Sequence, residues 1–349
     1  MHIKGNSALS KITVFLLNGV SILFKTISLL NLKRKSWRPA KFPALVISVD
    51  NLSFGGAGKT TLVTEIGKNL AQKNMGFAIV TRGYKAKLEG RGVKVEPHQH
   101  VDDVGDEAIL YRRRFGSGSC FPRQDVYVGK NRRRSIENAV RKGDGHKIIL
   151  LDDGFQSTHI HKDIKIMLFN PCHPYYYLRN FKRLMKKEDF IYFYRRVPPG
   201  AEKKYSPAVC GVYDFEILHF CTAVGTIMAP DDIRRAALLG FSALGDNQRF
   251  KNDLSAFRLV EFIPFRDHHV YTEKEIRALN ARRIEKKADY LVCTEKDFIK
   301  LTSINMDDIP LIYVQNSIKL NPNLMDYVLE NAKYAEYAEY AGKQNNLQT

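Results

Sequence analysis

The sequence is poor in cysteine, glycine and proline. Its 349 residues include 5 Cys, 23 Gly and 13 Pro. Because the cysteines are far apart and form no Cys-x-x-Cys pair, they argue against both a disulfide framework and a zinc site, and they indicate a reducing compartment. Hydrophobic residues account for 44% of the chain and charged residues for 26%. This balance excludes collagen-like, low-complexity and globally disordered classes, and it predicts a packed globular core.

Acidic residues are also in short supply. The chain has 37 Asp and Glu against 55 Lys and Arg, which gives a formal net charge of +18. Such an excess attracts polyanions, which include nucleic acids, phosphorylated metabolites and an acidic membrane leaflet. Charge alone does not choose among these partners. Single basic runs, such as Arg112–Arg114 and Arg132–Arg134, are expected on solvated helix faces.

Only one long hydrophobic run is present, between Ile12 and Leu32. It has the length needed to span a bilayer, which is about 20 residues. Its polar residues recur at helical spacing on one stripe, and they are Lys11, Asn18, Ser21, Lys25 and Ser28. A basic cluster follows the run and predicts that this end stays cytoplasmic. The pattern favours an interfacial or shallowly inserted anchor over a soluble helix packed on the core. It leaves open whether the helix spans the bilayer.

A phosphate-binding turn follows a predicted strand. The apolar run Ala44–Val49 is typical of a buried parallel strand, and apolar residues at helical spacing begin at Leu62. Glycines in the turn allow backbone N–H groups to surround a phosphate, while Lys59 can reach terminal phosphates and Thr60 can ligate Mg²⁺. A strict P-loop has glycine where this chain has Ser53. The predicted nucleotide-binding residues are Ser53, Phe54, Gly55, Gly56, Ala57, Gly58, Lys59, Thr60 and Thr61.

Two aspartates end a second predicted strand. The apolar run Ile148–Leu151 precedes Asp152 and Asp153, in a Walker-B-like arrangement. In an open parallel sheet this strand tip lies beside the phosphate turn. One aspartate is then expected to hold Mg²⁺ and the other to orient groups around it. A simple turn role is the alternative, but the presence of the glycine turn favours the metal site.

Two further groups of polar residues are candidates for catalysis. Asp106 and Glu107 stand at the start of a predicted helix, where acidic residues also serve as caps. Asp267, His268 and His269 place a carboxylate beside two imidazoles, which suits a general base or a proton relay. Paired histidines are more often surface or structural residues, so neither group identifies a site alone.

Six short motifs follow one another along the chain. They are Gly55–Thr60, Arg82–Tyr84, Gly105–Glu107, Asp152–Gln156, Asp267–His269 and Thr294–Asp297. In this order they resemble the tetraacyldisaccharide 4'-kinase family of lipid A biosynthesis, and the resemblance extends from the apolar N-terminal segment to about Leu301. The family's turn also lacks the first P-loop glycine, so Ser53 is compatible with nucleotide binding.

The resemblance implies a reaction and a location. The implied activity is transfer of the ATP γ-phosphate, with Mg²⁺, to the 4'-hydroxyl of a tetraacylated glucosamine disaccharide 1-phosphate. The implied location is the cytoplasmic face of the bacterial inner membrane, with the protein held peripherally or by a single helix. The implied architecture is two α/β/α domains with the site in the cleft between them.

The resemblance also implies roles for individual residues. Asp106 becomes the candidate acceptor of the hydroxyl proton, Glu107 supports it, and His268 or His269 orients it or raises its basicity. Phosphoryl transfer depends mainly on positioning and charge neutralisation, so Lys59 and the metal are expected to matter at least as much as the base.

The chain departs from the family pattern at three places. Asn180 stands where the family usually has the glutamate of a Leu-Arg-Glu segment, and the segment Gly245–Phe250 lacks the family's proline. Thr61 replaces a usual proline. These departures indicate a divergent member rather than an inactive one, because the phosphate, metal and candidate base residues are present.

The predicted fold is α/β, with a P-loop-NTPase-like, mostly parallel sheet flanked by helices and a second, smaller α/β domain. Residues 1–40 are expected to form a membrane-associated helix, 41–215 the kinase domain and 216–330 the C-terminal α/β domain. Residues 331–349 carry a local Tyr-Ala-Glu repeat and are expected to form a frayed helix or a disordered tail.

Two other functions are alternatives to the lipid kinase. A membrane-associated P-loop ATPase switch of the partitioning or division-site type carries lysine immediately before the two glycines, where this chain has Phe54. A nucleic-acid-binding protein would explain the charge but would leave Asp106, Glu107 and Asp267 without a role. The expected partners are therefore the disaccharide lipid and an anionic membrane surface, with no nucleic acid and no obligate protein partner.

Overall fold

One sheet runs through the part of the chain that the structure describes. The structure is a computed structural model, and it describes residues 8–35, 38–53, 57–115, 123–141, 145–174, 178–267, 269–304, 306 and 308–345. The strands are β1 Leu45–Asn51, β2 Phe77–Thr81, β3 Val93–Lys94, β4 Gln124–Val128, β5 Ile148–Asp152, β6 Ile164–Phe169, β7 Phe190–Tyr194, β8 Val209–Thr222, β9 Ala237–Ser242, β10 Arg258–Pro264, β11 Tyr290–Thr294 and β12 Leu311–Asn321.

Helices connect these strands and cover the sheet. They are α1 Ala8–Lys35, α2 Lys59–Gln72, α3 Val101–Val104, α4 Asp106–Phe115, α5 Arg132–Val140, α6 Ala201–Tyr205, α7 Pro230–Arg235, α8 Asn247–Leu254, α9 Glu273–Glu285, α10 Glu295–Leu301 and α11 Met325–Asn345. A short 3-10 helix covers Lys182–Lys187.

The sheet consists of two parallel regions joined by one antiparallel pair. Its strand order is β10, β9, β11, β12, β8, β7, β6, β1, β5, β2, β4, β3. Among these neighbours only β3 with β4 and β8 with β12 run antiparallel. We call strands β1 to β8 the N-terminal region and strands β9 to β12 the C-terminal region. The predicted α/β class and mostly parallel sheet are confirmed.

The central strands are buried on both faces, which explains their continuous apolar sequences. Every residue of β5 is buried, and Ile47 and Val49 of β1 pack into the cluster that includes α2. Val46, which points to the opposite face, packs into a second cluster with Ile136 of α5. Because helices cover both faces, polar groups concentrate where the strands end.

The division into domains stays a prediction. The expected boundary between residues 215 and 216 lies inside β8, which runs without interruption from Val209 to Thr222. The expected tail is helical through Asn345, because α11 continues past residue 331 and buries Val328 and Ala332 against the main core.

Helix α1 exposes apolar side chains and buries polar ones. The exposed fractions of Phe15, Leu16 and Leu23 are 78%, 61% and 63%. By contrast, Lys25 and Ser21 on the predicted polar stripe are buried. The helix therefore turns its polar stripe toward the protein. None of the helices in the described residues has a segment that is both long and apolar enough to cross a membrane.

Candidate active site

The phosphate turn joins the end of β1 to the start of α2. Gly58 precedes the helix with a φ of 88°, a left-handed conformation that glycine adopts without strain, and a Cβ there would collide with the ring of Phe215. Lys59 is the first helical residue, so its side chain starts at the positive end of the helix dipole. Ser53 is fully buried. Phe54, Gly55 and Gly56 lie outside the described residues.

The ammonium group of Lys59 is held by the ends of β1 and β5. It donates to Asn51 Oδ1 at 2.9 Å and lies 3.9 Å from Asp153 Oδ1. The guanidinium of Arg179 donates to both oxygens of Asp153, at 2.9 and 2.8 Å, and also reaches the Asn51 side chain. Burial opposes ionisation of Asp153, but Lys59 and Arg179 outweigh it and hold the pKa of this carboxyl well below its usual range.

Asp152 has a different environment although it is adjacent to Asp153. Its side chain is buried, and its Oδ2 accepts a hydrogen bond from the Tyr111 hydroxyl at 2.7 Å. Burial and the nearby Glu107 raise the pKa of Asp152 to about 7. Its Oδ1 has no hydrogen-bond partner among the residues that the structure describes.

Asp106 and Glu107 occupy the first turn of α4. Asp106 Oδ1 accepts a hydrogen bond from the Glu107 backbone N–H at 2.9 Å. Lys296 of α10 places its ammonium 3.5 Å from Asp106 Oδ2 and 3.4 Å from Glu107 Oε1. Burial alone would lower the pKa of Lys296, but Asp106 and Glu107 raise it above its usual value.

The histidine segment is only partly placed beside these residues. Asp267 lines the same cavity as Asp106. His268 lies outside the described residues. His269 does not line the cavity: its Nε2 lies 3.0 Å from Glu275 Oε1, and its ring stacks on Phe265 with centroids 4.9 Å apart. The structure therefore does not bring His269 to Asp106.

One cavity of about 570 Å³ collects most of the predicted site. Its wall includes ten predicted residues, namely Ala57, Gly58, Lys59, Thr60, Thr61, Asp106, Glu107, Asp152, Asp153 and Asp267. These residues come from the carboxyl ends of strands in both regions of the sheet, which is where open α/β sheets bind ligands. Within the described residues, no group of three or more His, Cys, Asp or Glu is arranged to hold a metal ion.

A family model for tetraacyldisaccharide-1-P 4'-kinase matches residues 13–333. The chain belongs to this family. The family predicted from the six motifs is therefore confirmed, and the partitioning or division-site switch is not favoured.

Curated relatives of this kinase family are similar over most of their length. A tetraacyldisaccharide 4'-kinase of Chlamydia abortus is 29% identical, with 76% of this chain and 75% of the relative covered. One from Halothermothrix orenii is 28% identical, with 90% and 88% covered. A crystal structure described as LpxK from Aquifex aeolicus in complex with ATP shares the fold, with a TM-score of 0.68 and 22% identity over 92% of this chain and 98% of that one.

Several cations line the cavity of this family member although sequence reasoning gave them no role in the site. They are Arg132, Arg179, Arg249 and Lys296. The expectation that Arg132 lies on a solvated helix face is wrong, because α5 begins at this residue beside the end of β4. Its side chain turns back toward the carbonyls of Gly129 and Lys130, and it is only 7% exposed. For Lys296 the available signal was its position two residues after the end of β11.

Proposed function

We propose that this chain transfers the γ-phosphate of ATP to the 4'-hydroxyl of a tetraacylated glucosamine disaccharide 1-phosphate. The observation that carries the proposal is that Lys59 of the phosphate turn and Asp106 of α4 line one cavity together with Asp152 and Asp153. A nucleotide phosphate, a metal and an acceptor hydroxyl therefore have ligands within one cavity. Membership of the kinase family supports the same reaction.

The phosphate turn would bind the triphosphate. Backbone N–H groups at the start of α2 and the ammonium of Lys59 supply positive charge where the β- and γ-phosphates would lie. Asn51 and Asp153 both contact this ammonium. We expect Lys59 to exchange part of that contact for phosphate oxygens, while Arg179 continues to neutralise Asp153.

The residues present fit a magnesium ion. Asp152 has one buried carboxylate oxygen without a partner among the described residues, and Thr60 lines the same cavity. Mg²⁺ characteristically takes one or two carboxylates and completes its shell with water and substrate phosphates, so a cluster of three protein ligands is not required. When bound, the ion would neutralise charge on the transferred phosphoryl group. Asp152, Asp153 and Thr60 are the residues that would hold it.

Asp106 would accept the proton of the acceptor hydroxyl. As the hydroxyl oxygen forms its bond to the γ-phosphorus, the bond from that phosphorus to the bridging oxygen of ADP breaks and the proton passes to Asp106. Glu107 would support this carboxylate through the ammonium that both contact. His268 stays a candidate to orient Asp106, and His269 would require a rearrangement that detaches it from Glu275.

The outer face of α1 suits a lipid substrate. Its exposed apolar residues can enter the interfacial layer of a membrane, and the net positive charge of the chain favours an anionic surface. Phe24 of this helix lines the cavity, so the membrane-facing element adjoins the site. We propose peripheral association with the cytoplasmic face of the bacterial inner membrane.

A direct assay tests the reaction. Purified protein receives ATP, Mg²⁺ and the tetraacyldisaccharide 1-phosphate in detergent, and mass spectrometry of the lipid measures the addition of one phosphate at the 4'-position. Lys59→Met serves as the control for contaminating kinases. Folded wild-type protein that makes no phosphorylated lipid would overturn the proposal, and ATP hydrolysis independent of the lipid would favour the ATPase switch.

A further inference from the structure

Lys296, in the C-terminal region, contacts Asp106 and Glu107 in the first turn of α4. Helix α10 begins directly after β11, because the hydroxyl of Thr294 accepts a hydrogen bond from the Asp297 backbone N–H at 3.1 Å. This cap fixes where the first turn of α10 starts, and Lys296 is its second residue. Helix α10 packs on α4, so the first turns of the two helices face one another.

The two carboxylates at the contact between α4 and α10 explain why a cation is needed beside them. Asp106 and Glu107 are neighbours in sequence and would repel one another in a partly closed cavity. The ammonium of Lys296 lies within 3.5 Å of an oxygen from each. Asp267, which also lines the cavity, adds to the negative potential around this ammonium.

Two other contacts hold the same helix pair together. Arg114 Nη2 of α4 donates to Glu295 Oε2 of α10 at 2.6 Å, and both side chains are little exposed. The guanidinium of Arg113 lies 5.0 Å from the ring centroid of Phe298. Lys296 is therefore held on a well-anchored helix rather than on a free surface, and its reach toward α4 is restricted.

We propose that Lys296 is a positioning residue for phosphoryl transfer, holding the carboxylate of Asp106 toward the acceptor hydroxyl from the opposite region of the sheet. The proposal rests on the proposed function, in which Asp106 accepts the hydroxyl proton. Without this ammonium, repulsion from Glu107 turns the carboxylate away. The active site is thus complete only while α10 stays in contact with α4.

The test compares Lys296→Met with Lys296→Arg in the lipid kinase assay. We expect Lys296→Met to lower kcat on the order of 10²-fold while the KM for ATP changes less than about threefold, because displacement of a reacting group by about 1 Å has effects of this size. Arginine should restore most of the rate, since it keeps the charge. Lys274→Met is the control: it removes a lysine from the exposed surface of α9.

Asp106→Asn distinguishes positioning from a structural role. If Lys296 acts through Asp106, Lys296→Met lowers kcat strongly in the wild-type background and little in the Asp106→Asn background. Equal losses in both backgrounds, a wild-type rate for Lys296→Met, or a rise confined to the KM for ATP would overturn the proposal. If the methionine variant does not fold, Lys296→Gln takes its place.

The two proposals fail separately. Absence of product with wild-type protein refutes the proposed function, whereas the ratio of variant to wild-type rates concerns Lys296. Wild type, Lys296→Met, Asp106→Asn and the double variant are also compared by thermal unfolding, which needs no turnover. Additive shifts in Tm for Lys296→Met and Asp106→Asn would show that the two side chains are not coupled, and non-additive shifts would support the contact.

Discussion

Asp106 is the residue on which the proposed chemistry depends most directly. Its replacement by asparagine keeps the size of the side chain but removes the proton acceptor. We expect kcat to fall about 10²- to 10⁴-fold, the usual contribution of a general base, with ATP affinity nearly unchanged because the phosphate turn is intact. Isothermal titration with a non-hydrolysable ATP analogue measures the affinity. Equal losses of turnover and nucleotide binding would remove Asp106 from the role of base.

Glu188 illustrates a residue whose burial reduces stability at alkaline pH. It is 7% exposed, and its Oε2 has no hydrogen-bond partner among the described residues. Burial and the nearby Asp50 raise the pKa of Glu188 from 4.5 to about 8. The folded state therefore holds a proton that the unfolded chain releases, so the free energy of unfolding falls as pH rises between these two values.

Glu188→Gln should remove this pH-dependent penalty. We expect the variant to be as stable as wild type near pH 4 and more stable at pH 8 to 9, by roughly 4 kcal/mol, because glutamine has no carboxyl group whose ionisation favours the unfolded chain. Urea unfolding across this pH range measures the difference. Glu202→Gln on the exposed face of α6 is the control. If Glu188→Gln were no more stable than wild type at alkaline pH, the prediction would be contradicted.

At the scale of elements, helix α1 has an inverted exposure pattern, with apolar side chains exposed and a lysine buried. Leu16, Leu23 and Ile27 are 61%, 63% and 52% exposed, whereas Lys25 is buried. Replacing the three apolar residues with serine removes contact area with lipid without touching the packed face. We expect binding to vesicles that contain phosphatidylglycerol to weaken at least about 10-fold, since each buried aliphatic side chain contributes about 1.5 kcal/mol or more.

A matched pair of substitutions controls for general loss of surface hydrophobicity. Val224 and Ile284 are 89% and 61% exposed and lie outside α1. Their replacement by serine should leave vesicle sedimentation unchanged. If both sets of substitutions weaken binding equally, α1 is not the membrane-binding element.

At the scale of the whole molecule, the cavity receives residues from both regions of the sheet. Lys59 and Asp152 belong to the N-terminal region, while Asp246, Arg249 and Lys296 belong to the C-terminal region. A ligand in this cavity therefore contacts both regions, and its binding free energy stabilises their association.

Nucleotide binding should consequently raise the melting temperature of the entire chain. With Mg²⁺ and a non-hydrolysable ATP analogue at 100 times its Kd, the stabilisation is about 2.7 kcal/mol, which corresponds to a Tm increase of about 3 to 4 °C for a chain of this length. Lys59→Met should lose most of the increase. The control is Lys73→Met at the exposed end of α2, and a full increase in the Lys59 variant would contradict binding at the phosphate turn.

The sequence by itself determined the fold class, the family and part of the cavity wall. Apolar runs that end in glycines or aspartates identified β1 and β5, because a strand buried on both faces has to be apolar and its polar end has to lie at the sheet edge. The roles of Lys59, Thr60 and Asp152 could be predicted from the order of strand, turn and helix along the chain. Only the family resemblance implied that the motifs at Asp106 and Asp267 meet in one site, since their distance depends on non-local packing.

Only the tertiary structure decided which charges meet. Arg132 belongs to a run whose exposed neighbours gave no sign of its burial, and Arg179 pairs with Asp153 across 26 positions of chain. Lys296 reaches Asp106 only because α10 packs against α4. Local patterns specify strands and turns through short-range backbone and burial preferences, whereas the partner of a buried charge depends on which distant elements the completed sheet places side by side.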